Sequence, residues 1–145
     1  MGEEKKARIR IVSRLEAPDG DVQEIKNARS GRLSQTAEGL VLSYDDEQDG
    51  EKARITLTMH PGACEGESRA RMQRRGMVAS TLTFLPGQKT ASSYVTVYGE
   101  IPVAVDTRRV AIRTQADGGQ LLLHYDVYMG GERTSRARME VTWRV

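Results

Sequence analysis

One cysteine, one tryptophan, one phenylalanine and two histidines in 145 residues leave this chain short of the side chains that most enzymes rely on. Cys64 has no partner for an intrachain disulfide, so nothing ties the sequence to an oxidising compartment. His60, His124 and Cys64 are too few and too scattered for a dedicated zinc site, and no nucleophile lies beside a base in the sequence. Proline is scarce, and Pro18, Pro61 and Pro86 each stand in a turn, where a fixed φ and a missing amide donor do least harm. Long apolar runs are missing as well: the N-terminus, Met-Gly-Glu-Glu-Lys-Lys, is charged and lacks the apolar stretch of a signal peptide or membrane span. Lys6 stands where a myristoylation signal carries Ser or Thr. The expectation is a cytoplasmic chain with no membrane contact. Neither charge dominates, with 22 Lys and Arg against 20 Asp and Glu, so composition alone demands no polyanionic partner.

What the sequence has in quantity is alternation. Arg8 to Ser13 alternates polar with apolar, and Ala17-Pro18-Asp19-Gly20-Asp21 turns the chain into a second strand around Val22 to Arg29. Ser30-Gly31 breaks that run, a weak strand follows over Arg32 to Thr36, and Leu40, Leu42 and Tyr44 share one face of the next. The acidic stretch from Asp45 to Glu51 reads as a solvated hairpin turn, because it lacks the ligand spacing and terminal Glu of a calcium loop. Ile55, Leu57 and Met59 line a strand stopped by Pro61, and a weaker pattern from Ala63 to Arg75 gives another. In that one, Arg69 and Arg71 point outward and Met72 and Arg74 inward.

Val78 to Phe84 and the Pro86-Gly87 turn come next. From Ser93 to Thr107 two extended segments meet at Gly99, with Tyr94, Thr96 and Tyr98 on one face of the first and Ile101, Val103 and Val105 on one face of the second. Val110 to Thr114, the turn Ala116 to Gly119, Gln120 to Tyr128, the turn at Gly130-Gly131 and Ser135 to Val145 complete the series. No window has apolar residues at helical spacing and no segment repeats at a fixed period. The pattern predicts an all-β, single-domain chain over residues 1–145: an antiparallel up-and-down barrel of about 8–10 strands, with residues 1–6 as a flexible tail and an immunoglobulin-like sandwich as the alternative. Its predicted interior includes Leu42, Leu57, Phe84, Tyr94, Val103, Leu123 and Trp143.

Leu40-Val41-Leu42-Ser43-Tyr44 followed by acids, Arg74 two residues before Gly76, Phe84 before Gly87, Tyr94 five residues before Gly99, Thr107, and Gly119 before the Leu-rich strand ending Tyr125-Asp126 make an ordered set. In that order and spacing the chain resembles the YwiB-like family of Firmicutes, a domain of unknown function with a calycin-like β-barrel. The resemblance implies a lipocalin-like barrel and supplies no activity, ligand, cofactor or catalytic residue.

Three function classes follow from the residues. Catalysis is not expected: His124 and Asp126 sit opposite the apolar set Leu121, Leu123, Tyr125 and Val127, and so face solvent. Nucleic acid is the lesser alternative, because the arginines at 69, 71, 74 and 75 and at 136, 138 and 144 have no aromatic stacking platform among them. A non-enzymatic barrel that takes a small ligand is the favoured class. Arg74 on an inward face cannot shed its proton and needs an anion, carbonyls or an aromatic ring, and the inward faces are rich in tyrosine. The candidate site is therefore Arg74 with Tyr44, Tyr94, Tyr98 and Tyr125, open to a ligand with an acidic or hydrogen-bonding head. No metal and no cofactor is expected. The partners considered are a small molecule or a protein, a second copy of the chain included, with a filled structural core as the other outcome.

Overall fold

Alternation over long stretches gives most segments one apolar strand face, and the inward faces of ten strands close on one another. The computed structural model describes residues 4–48 and 50–145. The strands are β1 (Lys5–Glu16), β2 (Val22–Thr36), β3 (Gly39–Gln48), β4 (Glu51–His60), β5 (Arg69–Arg75), β6 (Ala79–Phe84), β7 (Lys89–Thr96), β8 (Gly99–Gln115), β9 (Gly118–Met129) and β10 (Glu132–Arg144). Each is antiparallel to its sequence neighbours, and β10 returns to β1 to close the barrel. A three-residue 3-10 turn, Glu65–Glu67, is the helical structure among the described residues. The up-and-down barrel is thus as the sequence predicts.

The inward row carries the core. Leu42, Met59, Phe84, Val105, Val110, Leu121 and Leu123 expose no surface at all, and Leu57, Val141 and Trp143 almost none. A side chain with no surface reachable by water borders no water-sized void either, so the barrel is filled at this layer rather than hollow. Trp143 stands opposite Ile9 on β1 and Gly119 on β9. Gly119 is required there: a Cβ would collide with the Trp143 ring and sit 2.6 Å from the Arg113 carbonyl oxygen.

Several boundaries differ from those the sequence predicts, each for a physical reason. The expected break at Ser30-Gly31 does not occur, because β2 is continuous for 15 residues. Gly31 marks a close approach instead, and a Cβ there would strike the Ser43 carbonyl oxygen and the Ile9 side chain. The expected tail over residues 1–6 does not include Lys5 and Lys6, which pair with Leu33 and Arg32; residues 1–3 lie outside the described residues. Residues 63–68 are a loop with the 3-10 turn, so β5 begins at Arg69, with Ala70 buried and Arg69 exposed. What read as two segments around Val105 and Val110 is one 17-residue strand, β8, whose register slips between Thr107 and Arg109. That bulge moves the inward phase from Val103, Val105 and Thr107 to Val110 and Ile112.

The outer face also needs one correction. His124 and Asp126 do point away from the core, but solvent does not bathe them: Asp126 is 7% exposed. Its Oδ1 accepts from Arg136 Nε at 3.3 Å and lies 3.4 Å from Arg108 Nη2.

Candidate functional site

One inward row of side chains runs around the barrel through the registers Gly31↔Tyr44, Tyr44↔Ile55, Ile55↔Arg74, Arg74↔Ser80 and Ser80↔Tyr94. Neighbouring strands lie about 4.8 Å apart, so Tyr44 and Tyr94 each stand roughly 10 Å along the wall from Arg74, with Ile55 and the small Ser80 between. This row sits toward the end of the barrel that carries the β3–β4, β5–β6 and β7–β8 turns.

The carboxylate that answers Arg74 is Asp46. It belongs to β3, two residues beyond Tyr44 and in the same inward phase as Leu40 and Leu42, not to a solvated turn. Its side chain is 11% exposed and is shared by two guanidiniums. Arg29 Nη2 donates to Oδ1 at 3.0 Å and Arg29 Nε to the same oxygen at 3.3 Å, while Arg74 Nη1 donates to Oδ2 at 3.4 Å. Arg29 reaches this place because β2 presents it inward, opposite Ile9. One carboxylate thus binds β2, β3 and β5 together, and two guanidiniums against one carboxylate leave a net positive charge. The guanidine-bearing side chains remain 27% and 22% exposed, so the cluster faces the mouth and not the sealed core. Beside it opens a hollow of about 800 Å³ lined by Arg29, Asp46, Lys52, Ala53, Arg54 and Arg75, with Asp45 and Glu47.

Of the five predicted site residues, three converge. Arg74, Tyr44 and Tyr94 share the mouth. Burial pushes the Tyr44 hydroxyl up to about 12, reinforced by Asp46 and opposed by Arg29 and Arg74. Burial also raises Tyr94, again opposed by Arg74. Tyr125 lies deeper, in the core: it is 6% exposed, its ring centroid is 4.8 Å from that of Phe84, and burial followed by Tyr94 raises its hydroxyl. Tyr98 does not belong to the wall. It is 98% exposed at the tip of the β7–β8 hairpin, because Thr96 pairs directly with Gly99 and leaves Val97 and Tyr98 as a two-residue turn. Thr96 Oγ1 donates to the Gly99 carbonyl at 2.8 Å and accepts from the Tyr98 amide, and Gly99 adopts φ 125°. The two extended segments that meet at Gly99 are thus the arms of a hairpin.

These tyrosines give an alkaline signature. A hydroxyl whose pKa is raised by folding contributes fully below the unfolded value near 10, and the contribution is lost as pH rises toward the folded value. The denaturation midpoint is therefore expected to fall between about pH 10 and 12. A Tyr44→Phe variant should show a smaller fall over the same range; an equal fall would mean that Tyr44 is not buried as described.

Among the described residues no group of three His, Cys, Asp or Glu is placed to hold a metal, and no helix is long and apolar enough to cross a membrane. The chain is therefore an all-β protein of the closed, ten-stranded, up-and-down antiparallel barrel class, an architecture compatible with the calycin-like barrel that the resemblance implies. More particularly, the chain belongs to the family described as Domain of unknown function (DUF1934), whose model matches residues 9–141. It is 24% identical over 143 residues to the Uncharacterized beta-barrel protein YwiB of Bacillus subtilis (strain 168), covering 99% of this chain and 96% of that protein. The crystal structure of ywiB protein from Bacillus subtilis superposes with a TM-score of 0.83 at 22% identity, covering 99% of this chain and 94% of that one. This likeness supports the fold.

Proposed function

We propose that this protein is a non-enzymatic binding barrel that takes a small molecule with an acidic head at the mouth, with Arg74 and Arg29 meeting the head and Tyr44 and Tyr94 flanking it. The observation that carries this is the unequal cluster: two partly exposed guanidiniums share the single Asp46 carboxylate, which leaves charge and donors for an anion. The lips of the same end suit an apolar body behind that head. The register Ala79↔Val95 brings the turn residues Met77 and Val97 to one rim, and these are 59% and 70% exposed, with Tyr98 and Ile101 exposed nearby. Since the core layer is filled, the ligand rests on the mouth rather than inside the barrel.

The Arg74→Met variant tests this by thermal shift against a panel of amphipathic carboxylates. Loss of a stabilisation seen with the parent chain, at a melting temperature changed by only a few degrees, supports a binding role. A large fall in melting temperature with no ligand response in either protein would leave Arg74 as a structural tie between β3 and β5 and sink the proposal.

A further inference from the structure

The outer wall carries a second concentration of charge, on the side formed by β1, β10, β9 and β8. The registers Arg14↔Arg138, Arg138↔His124 and His124↔Arg109 place three arginines and a histidine in one row across four strands. Like charges directly opposite one another repel, so such a row is unfavourable until an anion lies on it. Arg109 is answered by Glu65, held by two hydrogen bonds from its guanidinium. Arg14 and Arg138 have no carboxylate partner among the described residues, and Arg108 and Arg136 converge on the one oxygen of Asp126.

These groups surround a hollow of about 320 Å³, lined by Arg14, Arg108, Arg136 and Arg138 with Glu16 and His124. Four guanidiniums against the two carboxylates of Glu16 and Asp126 leave a net charge of +2 without the histidine. His124 Nε2 is buried with no hydrogen-bond partner. Burial first, then Arg138, Arg109 and Arg108, hold the imidazole below its ordinary pKa, and Glu65 only partly opposes them.

We infer that this hollow is a binding site for an oligophosphate, free or as the phosphate tail of a nucleotide, on a face of the barrel separate from the mouth. A ligand carrying two or more negative charges matches the excess, and because each planar guanidinium grips two oxygens of one anionic group in a fork, linked phosphate groups can meet several of these arginines at once where a single carboxylate fills only one fork. Among the described residues the hollow has no Phe, Tyr or Trp in its lining, which favours a compact anion over an extended polymer that stacks its bases; Tyr128, farther along the same outer face of β9, carries the Lys89 ammonium 3.8 Å from its ring centroid.

Titration calorimetry with inorganic pyrophosphate and with ADP, paired with NMR of the His124 ring, tests the site. Saturable one-to-one binding is expected, weakened about tenfold or more in Arg138→Gln and in Arg14→Gln. Arg74→Met should bind as the parent does, which separates this site from the mouth, and the His124 pKa should rise on saturation. Equal affinity for the two ligands would show that phosphate alone is read; tighter binding of ADP would show that the nucleoside contributes. No saturable binding, equal affinity in the Arg14→Gln/Arg138→Gln double variant, or single-stranded RNA that binds more tightly and is not displaced by pyrophosphate would overturn the assignment.

Discussion

Replacing Trp143 by alanine is expected to destabilise the barrel by about 4 kcal/mol, within the range for truncating a large aromatic in a packed core. The residue is 2% exposed, sits near the closing seam on β10, and packs into the main hydrophobic cluster with Ile9 and Leu121. For a domain of this size the melting temperature should fall on the order of 10 °C. Gly119 sharpens the test, because the ring edge occupies the space where its Cβ would be. Gly119→Ala alone should cost about 2–3 kcal/mol through overpacking. Adding Trp143→Ala removes the clash with the ring but not the approach to the Arg113 carbonyl, so the double variant should be less destabilised than the sum. Strict additivity would show that the two do not share this contact. Circular dichroism is the suitable probe, since Trp143 is the only tryptophan.

Removing the Asp46 carboxylate should have the next largest effect. Asp46→Ala leaves Arg29 and Arg74 facing each other, each less than a third exposed, with no anion between them. Breaking one partner of such a cluster costs several kcal/mol when fully buried; allowing for the exposure here, about 2–3 kcal/mol is expected. The triple variant Arg29→Met/Asp46→Ala/Arg74→Met should recover much of that loss, because no uncompensated charge remains. Asp46→Asn carries the opposite sign for binding. With the internal carboxylate neutralised, an acidic ligand no longer competes with it, so affinity for the carboxylate panel should rise while stability falls. Affinity that falls alongside stability would mean that Asp46 orients the arginines for the ligand rather than competing with it.

The barrel was legible in the sequence wherever one face was consistently apolar. Leu42, Leu57, Phe84, Val103, Leu123 and Trp143 are all buried, as their phases imply. The difficulties arise where an inward face is polar. On β2 the inward set is Ile25, Asn27, Arg29, Gly31 and Leu33, too mixed to display a face, so neither its continuity nor the role of Arg29 showed. Asp46 was hidden by company: five acids within seven residues look like a turn, although the period of two from Leu40 through Leu42 and Tyr44 runs straight onto it. A bulge defeats period counting altogether, which is why β8 read as two pieces. Tyr98 shows the converse error, since a correct parity extended two residues too far turned a hairpin tip into a wall.

The pairing of β1 with β10 has a consequence for how the chain is made. Arg8 meets Arg144 across almost the whole length of the polypeptide, whereas every other strand pair joins sequence neighbours. During synthesis each hairpin can form as it leaves the ribosome, but β1 must wait with an open edge until the last strand has emerged. An unpaired edge invites other nascent chains to add on. Lys6, Arg8, Arg10 and Arg14 alternate along that waiting strand on the face that stays outside. Arg8 and Arg14, which face Arg144 and Arg138 across the finished seam, thus belong to a charged row that keeps the newborn barrel from sealing itself against a neighbour.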